Sequence, residues 1–295
     1  MGRLLLFKSP RTAHNWIVLC GLAVGLWYLP AWLGILLKLV VHGVAFPLLV
    51  FVAAYLAIQQ LWHQRNQLAK LIAPVEQRRL GHFVILTSVG LFGFSRFAFW
   101  SQALLWFLVL VGIALSSWGV SFFKKYPQPT FLILLSVHPT PNYLVDYLWR
   151  AVNYDKTLEQ LIAWSGSLGL QGIGHSAAST HNIIYLGTGA IQVEWGCTGA
   201  DMAITLAATS LLLGLIFKQS WLQTVGLVIV GIVLAFVVNL PRIMLLAFAN
   251  SFWGKEAFEF WHTGWGTQIF STILFTIYYY LMKGIFSERS VKSQI

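Results

Sequence analysis

The sequence predicts an all-α protein, a polytopic transmembrane helical bundle, and three observations predict it. Of the 295 residues, 58% are apolar and only 9% are charged, whereas soluble domains carry about 25% charged residues. A soluble fold of this length could not hide so much apolar surface, because surface grows too steeply relative to core. Second, the apolar residues fall in stretches of roughly 18 or more positions with almost no charge, enough to cross ~30 Å of hydrocarbon as helix. Third, these runs are too long and too uniformly apolar for the alternating strands of a barrel, and helices satisfy their own backbone groups in lipid.

The runs define about eight spans, at 16–36, 39–62, 83–98, 100–123, 130–148, 199–217, 221–240 and 264–283. Pro139, Pro141 and Asp146 interrupt the fifth, so part of it is expected at the interface. In the first span, Gly21 and Gly25 match the small-residue pattern of close helix packing. Between spans five and six, Leu144, Leu148, Val152, Leu158, Leu161 and Ile162 recur at helical spacing, with Arg150, Asp155, Lys156 and Glu159 between them. That pattern predicts an extracytoplasmic amphipathic interfacial helix over 143–170. After it, residues 182–194 read as a short β-hairpin about Gly187-Thr188-Gly189. The organisation is therefore a four-span scaffold at 1–125 and a core at 126–295 holding four more spans.

The formal net charge is +10, but the basic residues lie in short breaks between apolar runs. They form no stripe that would track nucleic acid, and no nucleic-acid partner is expected; membrane lipid is. With both termini cytoplasmic, most of the nineteen Lys and Arg fall inside, among them Arg3, Lys8, Arg11, Lys70, Lys124, Lys125, Lys218 and Lys283. Lys38, Arg96, Arg150, Lys156, Arg242 and Lys255 fall outside, which is the distribution that positive-inside orientation favours. The basic N-terminus leads into an apolar run with no small-residue cleavage site, so a retained first span is expected. Two cysteines, Cys20 and Cys197, make no disulfide framework, and Cys20 in the body of the first span is expected to pack.

Cys197 carries the chemistry. From it the chain descends twenty-one residues to Lys218, a drop of about 31 Å as helix, and climbs a similar length to Arg242. The following loop ends at His262, just before the last span. A thiol, a guanidinium and an imidazole thus share one depth, and they are the parts of a thiol acyl-transfer site. Thr198 and Asp201 match a helix-capping pattern, which would set Cys197 beyond the positive end of a helix and lower its pKa, as neighbouring cations would. Pro241 removes one helical hydrogen bond beside Arg242 and predicts a kink. Asn239, three residues before Arg242, can share its face. An arginine at membrane depth costs about 2.5–3.5 kcal/mol, so it needs a partner or a task. Glu194 is read as a solvated charge on the strand. No cofactor or metal is called for.

The ordered motifs, Asn182-Ile-Ile-Tyr-Leu-Gly, then Val193-Glu194-Trp195-Gly196-Cys197-Thr198-Gly199, then Asn239-Leu-Pro-Arg242, then Trp261-His262, resemble the exosortase family and lean toward its cyanobacterial branch, the cyanoexosortases. The resemblance covers residues 126–295 in motifs and the earlier spans only in hydropathy. It implies a bacterial inner-membrane cysteine protease-transpeptidase with an extracytoplasmic site. Its partners would be exported proteins ending in a Pro-Glu-Pro motif, a hydrophobic helix and a basic tail (the PEP-CTERM signal). It also implies that Cys197 is the nucleophile with Arg242 and His262 as partners; Thr198, Asp201, Asn239 and Glu194 are candidate supporting residues from their positions in the sequence. The family usually has Cys-Ser-Gly with a basic residue four positions after the cysteine; here Thr198 and Asp201 stand instead, a departure that leaves the nucleophile intact.

Two other readings stay open. A membrane acyl- or glycosyl-transferase on lipid-linked substrates would use His262 as base and dispense with the Cys197 thiol. A transporter or assembly scaffold would bury its polar residues at mid-membrane near discontinuous helices, whereas here they gather toward one face. His175 and His181 sit in a Gly/Ala/Ser loop, and Glu259 with His262 is a single acid–histidine pair too small for a metal site.

Overall fold

The computed structural model describes residues 12–41, 44, 46–95, 98–140, 145, 147–149, 151 and 155–292. A helix overlaps each expected span, and the chain divides into two units, Met1–Pro141 and Asn142–Ile295.

In the first unit the main helices are α1 (Ala13–Val41), α2 (Phe46–His63), α3 (Val75–Phe92), α4 (Phe99–Trp118) and α5 (Pro127–Val137). Helix α1 packs on α3 and α4 through its glycines. A Cβ added at Gly21 would meet Ile85 at 2.9 Å and Val109 at 3.0 Å, and one at Gly25 would meet Trp106 at 2.6 Å. The close-packing reading of Gly21 and Gly25 therefore holds. The core so formed includes Val18, Tyr28, Ile85, Trp106 and Val109. Orphan carbonyls at the end of α5 are satisfied from α1: the Tyr28 hydroxyl donates to Val137 C=O at 2.7 Å and the Trp32 indole donates to Ser136 C=O at 3.0 Å. Cys20 is exposed on α1 rather than packed within the unit.

The second unit holds α6 (Thr157–Gly172), three strands β1 (Ala177–Thr180), β2 (Ile183–Leu186) and β3 (Gly189–Gln192), then α7 (Ala200–Ile216), α8 (Trp221–Phe248), α9 (Lys255–His262) and α10 (Gly264–Lys292). The strands form an antiparallel sheet in the order β1-β2-β3. Alternation places Ile184, Leu186, Ile191 and Val193 on one face, where they meet Ile162, Ala163 and Leu170 of α6 and Ile243 and Leu246 of α8. Ser220 and Gln223 close a capping box at the start of α8, satisfying two amide groups reciprocally.

Several expectations change. Four helices (α1, α2, α4 and Trp221–Trp253, which is α8 with the π-helical turn after it) are long and apolar enough to cross a membrane; α5 and α7 are apolar but have 11 and 17 residues. Among the described residues the expected count of eight is not reached. Helix α3 begins with Glu76, Arg78 and Arg79, eight residues earlier than expected. Helix α5 stops at Val137 because His138 is extended and prolines follow. Helix α8 continues through Pro241 to Phe248, so Arg242 lies inside it and not at its end.

The single interfacial helix over 143–170 is interrupted. Lys156 is left-handed (φ 53°) and α6 starts only at Thr157. Ile162, Ala163 and Leu170 turn into the core, while Leu161, Trp164 and Leu168 stay exposed. Leu144, Arg150 and Val152, like Arg3, Lys8, Arg11 and Arg96, lie outside the described residues. The hairpin is present, but β1 makes it a three-stranded sheet, so the fold is mostly helical rather than all-α apart from a hairpin.

Candidate active site

Strand β3 runs on through Val193 and Glu194 into a 3₁₀ turn, Trp195–Cys197, and then into α7. The Asn182 amide donates to Val193 C=O at 2.9 Å and Asn182 C=O accepts from Val193 N–H at 2.7 Å, holding this exit extended. Cys197 N–H then donates to Glu194 C=O at 2.8 Å, which closes the turn.

Thr198 is fully buried; its hydroxyl donates to Trp195 C=O at 2.7 Å and accepts from Ala200 N–H at 3.2 Å. It is therefore not the N-cap of α7, as the capping pattern suggested. Gly199 is, and it is left-handed with φ 86°. Only glycine adopts that conformation without strain. A Cβ there would also strike Asn239 at 2.8 Å. Asp201 follows, exposed in the first turn of α7.

Asn239 and Arg242, one helical turn apart on α8, close over Cys197. Asn239 is 1% exposed; its amide donates to Cys197 C=O at 2.9 Å and its carbonyl oxygen accepts from the Arg242 guanidinium at 3.4 Å. A second guanidinium nitrogen donates to the Thr267 hydroxyl at 3.3 Å, which in turn donates to His262 C=O at 3.1 Å. Thr267 thus ties α8 to the α9–α10 junction. The Nε of Arg242 is buried and has no hydrogen-bond partner among the described residues, and the same is true of the Trp195 indole nitrogen. Buried donors are normally paired, so two open donors on the residues around one thiol make a local electropositive environment.

Cys197 is 7% exposed. Burial pushes its thiol up from the ordinary value, against the pull of the Arg242 guanidinium and of a backbone hydrogen bond at Glu194; the exposed Glu194 carboxylate adds to the rise. The sequence argument expected a lowered pKa. The net direction is reversed because removing the thiolate from water outweighs one neighbouring cation.

The structure therefore brings Cys197, Arg242, Asn239 and the Glu194 turn together. The His262 imidazole is not brought to the thiol: among the described residues it has no hydrogen bond to Cys197 or Arg242 and stacks on Phe258 with ring centroids 5.0 Å apart, and only the His262 backbone carbonyl is tied to the cluster, by way of Thr267. Thr267 and Trp195 were not foreseen as site residues. Thr267 carries no distinguishing sequence signal, since Gln268, Ser271, Thr272 and Thr276 follow it in the same helix.

Compared with known families, residues 40–279 match the transmembrane exosortase family model. No curated protein and no solved structure gives a match.

Proposed function

Because the chain belongs to the transmembrane exosortase family, a family of multi-pass membrane proteins, we propose that it is a cysteine protease-transpeptidase of exported proteins, with Cys197 as nucleophile. The observation that carries the reading is a buried thiol beside a buried arginine whose Nε–H has no hydrogen-bond partner among the described residues. Such a donor costs free energy unless something arrives to accept from it, and a tetrahedral oxyanion is an acceptor of the right charge.

In the proposed reaction His262 turns from Phe258 and takes the Cys197 proton. The sulfur forms a bond to the scissile carbonyl carbon, and Arg242 holds the oxyanion that results. The carbon–nitrogen bond then breaks as His262 gives its proton to the leaving amine. The acyl-enzyme passes its acyl group to water, or to a carrier amine or hydroxyl, and the thiol is restored. Asn239 fixes the cysteine backbone and the guanidinium in one register. We assign the site to the extracytoplasmic side of a bacterial inner membrane and the substrates to proteins bearing the PEP-CTERM signal.

Replacing Cys197 with Ala should abolish cleavage of such a substrate in membranes while leaving insertion and abundance near normal; unchanged cleavage would end the proposal. Retained activity in Cys197→Ser with a dependence on a lipid donor would favour the lipid-linked transferase instead. Replacing His262 with Gln should slow cleavage by about 10²–10⁴-fold, the usual contribution of general acid–base catalysis.

A further inference from the structure

The sheet ends in an edge on the strand whose chain runs directly into the turn that carries the cysteine. In the register of β2 and β3, Ile183 is opposite Gln192 and Ile184 is opposite Ile191. The bond from Val193 N–H to Asn182 C=O identifies 182·193 and 184·191 as the pairs that exchange hydrogen bonds. Gln192 therefore aims both its N–H and its C=O away from β2, and so does Ala190 before it. Ala190 C=O is already engaged there by a side-chain amide, that of Asn250, at 3.1 Å. Gln192 N–H, Gln192 C=O and Glu194 N–H have no hydrogen-bond partner among the described residues. The Gln192 and Glu194 side chains are exposed, whereas Ile191 before them and Val193 between them are buried. Glu194 is extended (φ −103°, ψ 171°), so these three groups lie along one rim of one strand. Three residues later stands the thiol.

We propose that this rim is the substrate's main-chain binding site: an extended peptide adds as a fourth strand beside Gln192–Glu194, and its scissile bond is carried to Cys197 by the register of that pairing. The proposal rests on the thiol chemistry proposed for Cys197 and adds to it how the peptide is held. Two features favour a peptide as occupant. The open groups alternate donor, acceptor, donor at strand spacing, which is the complement of a peptide backbone and of no headgroup or sugar. The neighbouring position on the same edge already accepts from a carboxamide, the side-chain equivalent of a peptide N–H. Edge pairing reads main chain and leaves side-chain preference to the flanking surface, which suits a protease acting on many proteins through one short segment.

Gln192 can be tested without disturbing the ladder, since its N–H takes no part in it. The probe is acetyl-tetra-alanine chloromethyl ketone, reacting with the full-length protein in detergent, with iodoacetamide as the small control and alkylation of Cys197 read by mass spectrometry. Gln192→Pro removes the edge N–H and should slow the peptide reagent about 10-fold while leaving iodoacetamide unchanged; Gln192→Ala, which keeps the N–H, should behave as wild type. On the wild-type protein, single N-methylations along the reagent should slow it at alternate positions only. If Gln192→Pro slows both reagents, the N-methyl series decides. Equal rates across that series, or loss at every position, would overturn the proposal. Cleavage that survives Cys197→Ala would instead remove the chemistry on which it rests.

Discussion

At the scale of single residues, Arg242 and Gly199 set what the thiol can do. Among the described residues Arg242 makes two side-chain hydrogen bonds, to Asn239 and Thr267, and its Nε–H has no partner. It also stands as the nearest cation to a thiol whose pKa burial has raised. A raised pKa means that at neutral pH Cys197 is mostly protonated, so its alkylation rate climbs through the alkaline range. The midpoint of iodoacetamide alkylation should lie above about 8.5, the ordinary cysteine value. Arg242→Gln removes the cation that opposes desolvation and should move that midpoint higher still; a midpoint moving down would contradict the pairing. Gly199 is required twice over, by its φ of 86° and by the 2.8 Å approach of Asn239. Gly199→Ala should push Asn239 off the Cys197 carbonyl and lower kcat at least 10-fold in a cleavage assay. Ser at position 198 in place of Thr, which keeps the hydroxyl bonded to Trp195 and Ala200, should remain within about 3-fold of wild type, since a net hydrogen bond contributes only ~1 kcal/mol.

At the scale of elements, the junction of α8, α9 and α10 depends on one hydroxyl. Thr267 accepts from Arg242 and donates to His262 C=O, so it sets the guanidinium and the histidine backbone in a common frame. Thr267→Val keeps the shape and loses both bonds, and leaves a buried guanidinium nitrogen unpaired at a cost of about 1–3 kcal/mol. Cleavage should fall roughly 10-fold, Thr267→Ser should restore it, and the iodoacetamide rate at Cys197 should shift with Arg242's position. Equal activity of the Val and Ser variants would remove Thr267 from the site. The same element shows where sequence reading stops. One threonine among several hydroxyl residues of α10 (Ser271, Thr272, Thr276) has no periodic or motif signal, and its importance arises only when α8 brings Arg242 to it. Strand β1, read as part of a Ser/Ala/Thr loop, was hidden for a related reason: Ala177–Thr180 are small and weakly β-prone, and they pair because β2 offers an edge and α6 covers them. The length of the apolar runs, by contrast, located α7 and the start of α8, because an apolar run in lipid has few alternatives, although α8 runs on to Phe248.

At the scale of the whole molecule, charge distribution decides orientation. The thiol, the guanidinium and the imidazole were read as one cluster because two helical runs of similar length bring positions 197 and 242 to one level; the structure joins the first two through Asn239 and leaves the His262 ring on Phe258, and α8 running on past Pro241 does not alter the level of Arg242. What composition could not settle was how many helices cross, since α3 carries Glu76, Arg78 and Arg79 among its first five residues and α5 has only 11 residues. The positive-inside bias still predicts sides. It puts the β2–β3 turn outside and the segment after α2 inside. Thr188 in that turn and Lys70 in that segment are both exposed and suited to labelling. In a background lacking both native cysteines (Cys20→Ala, Cys197→Ala), Thr188→Cys should react with a membrane-impermeant maleimide on intact spheroplasts. Lys70→Cys should react only after permeabilisation. The reversed result would place the thiol on the cytoplasmic side, where it could not meet a protein already exported, and the proposed activity would lose its substrate even with the Cys197–Arg242 pair intact.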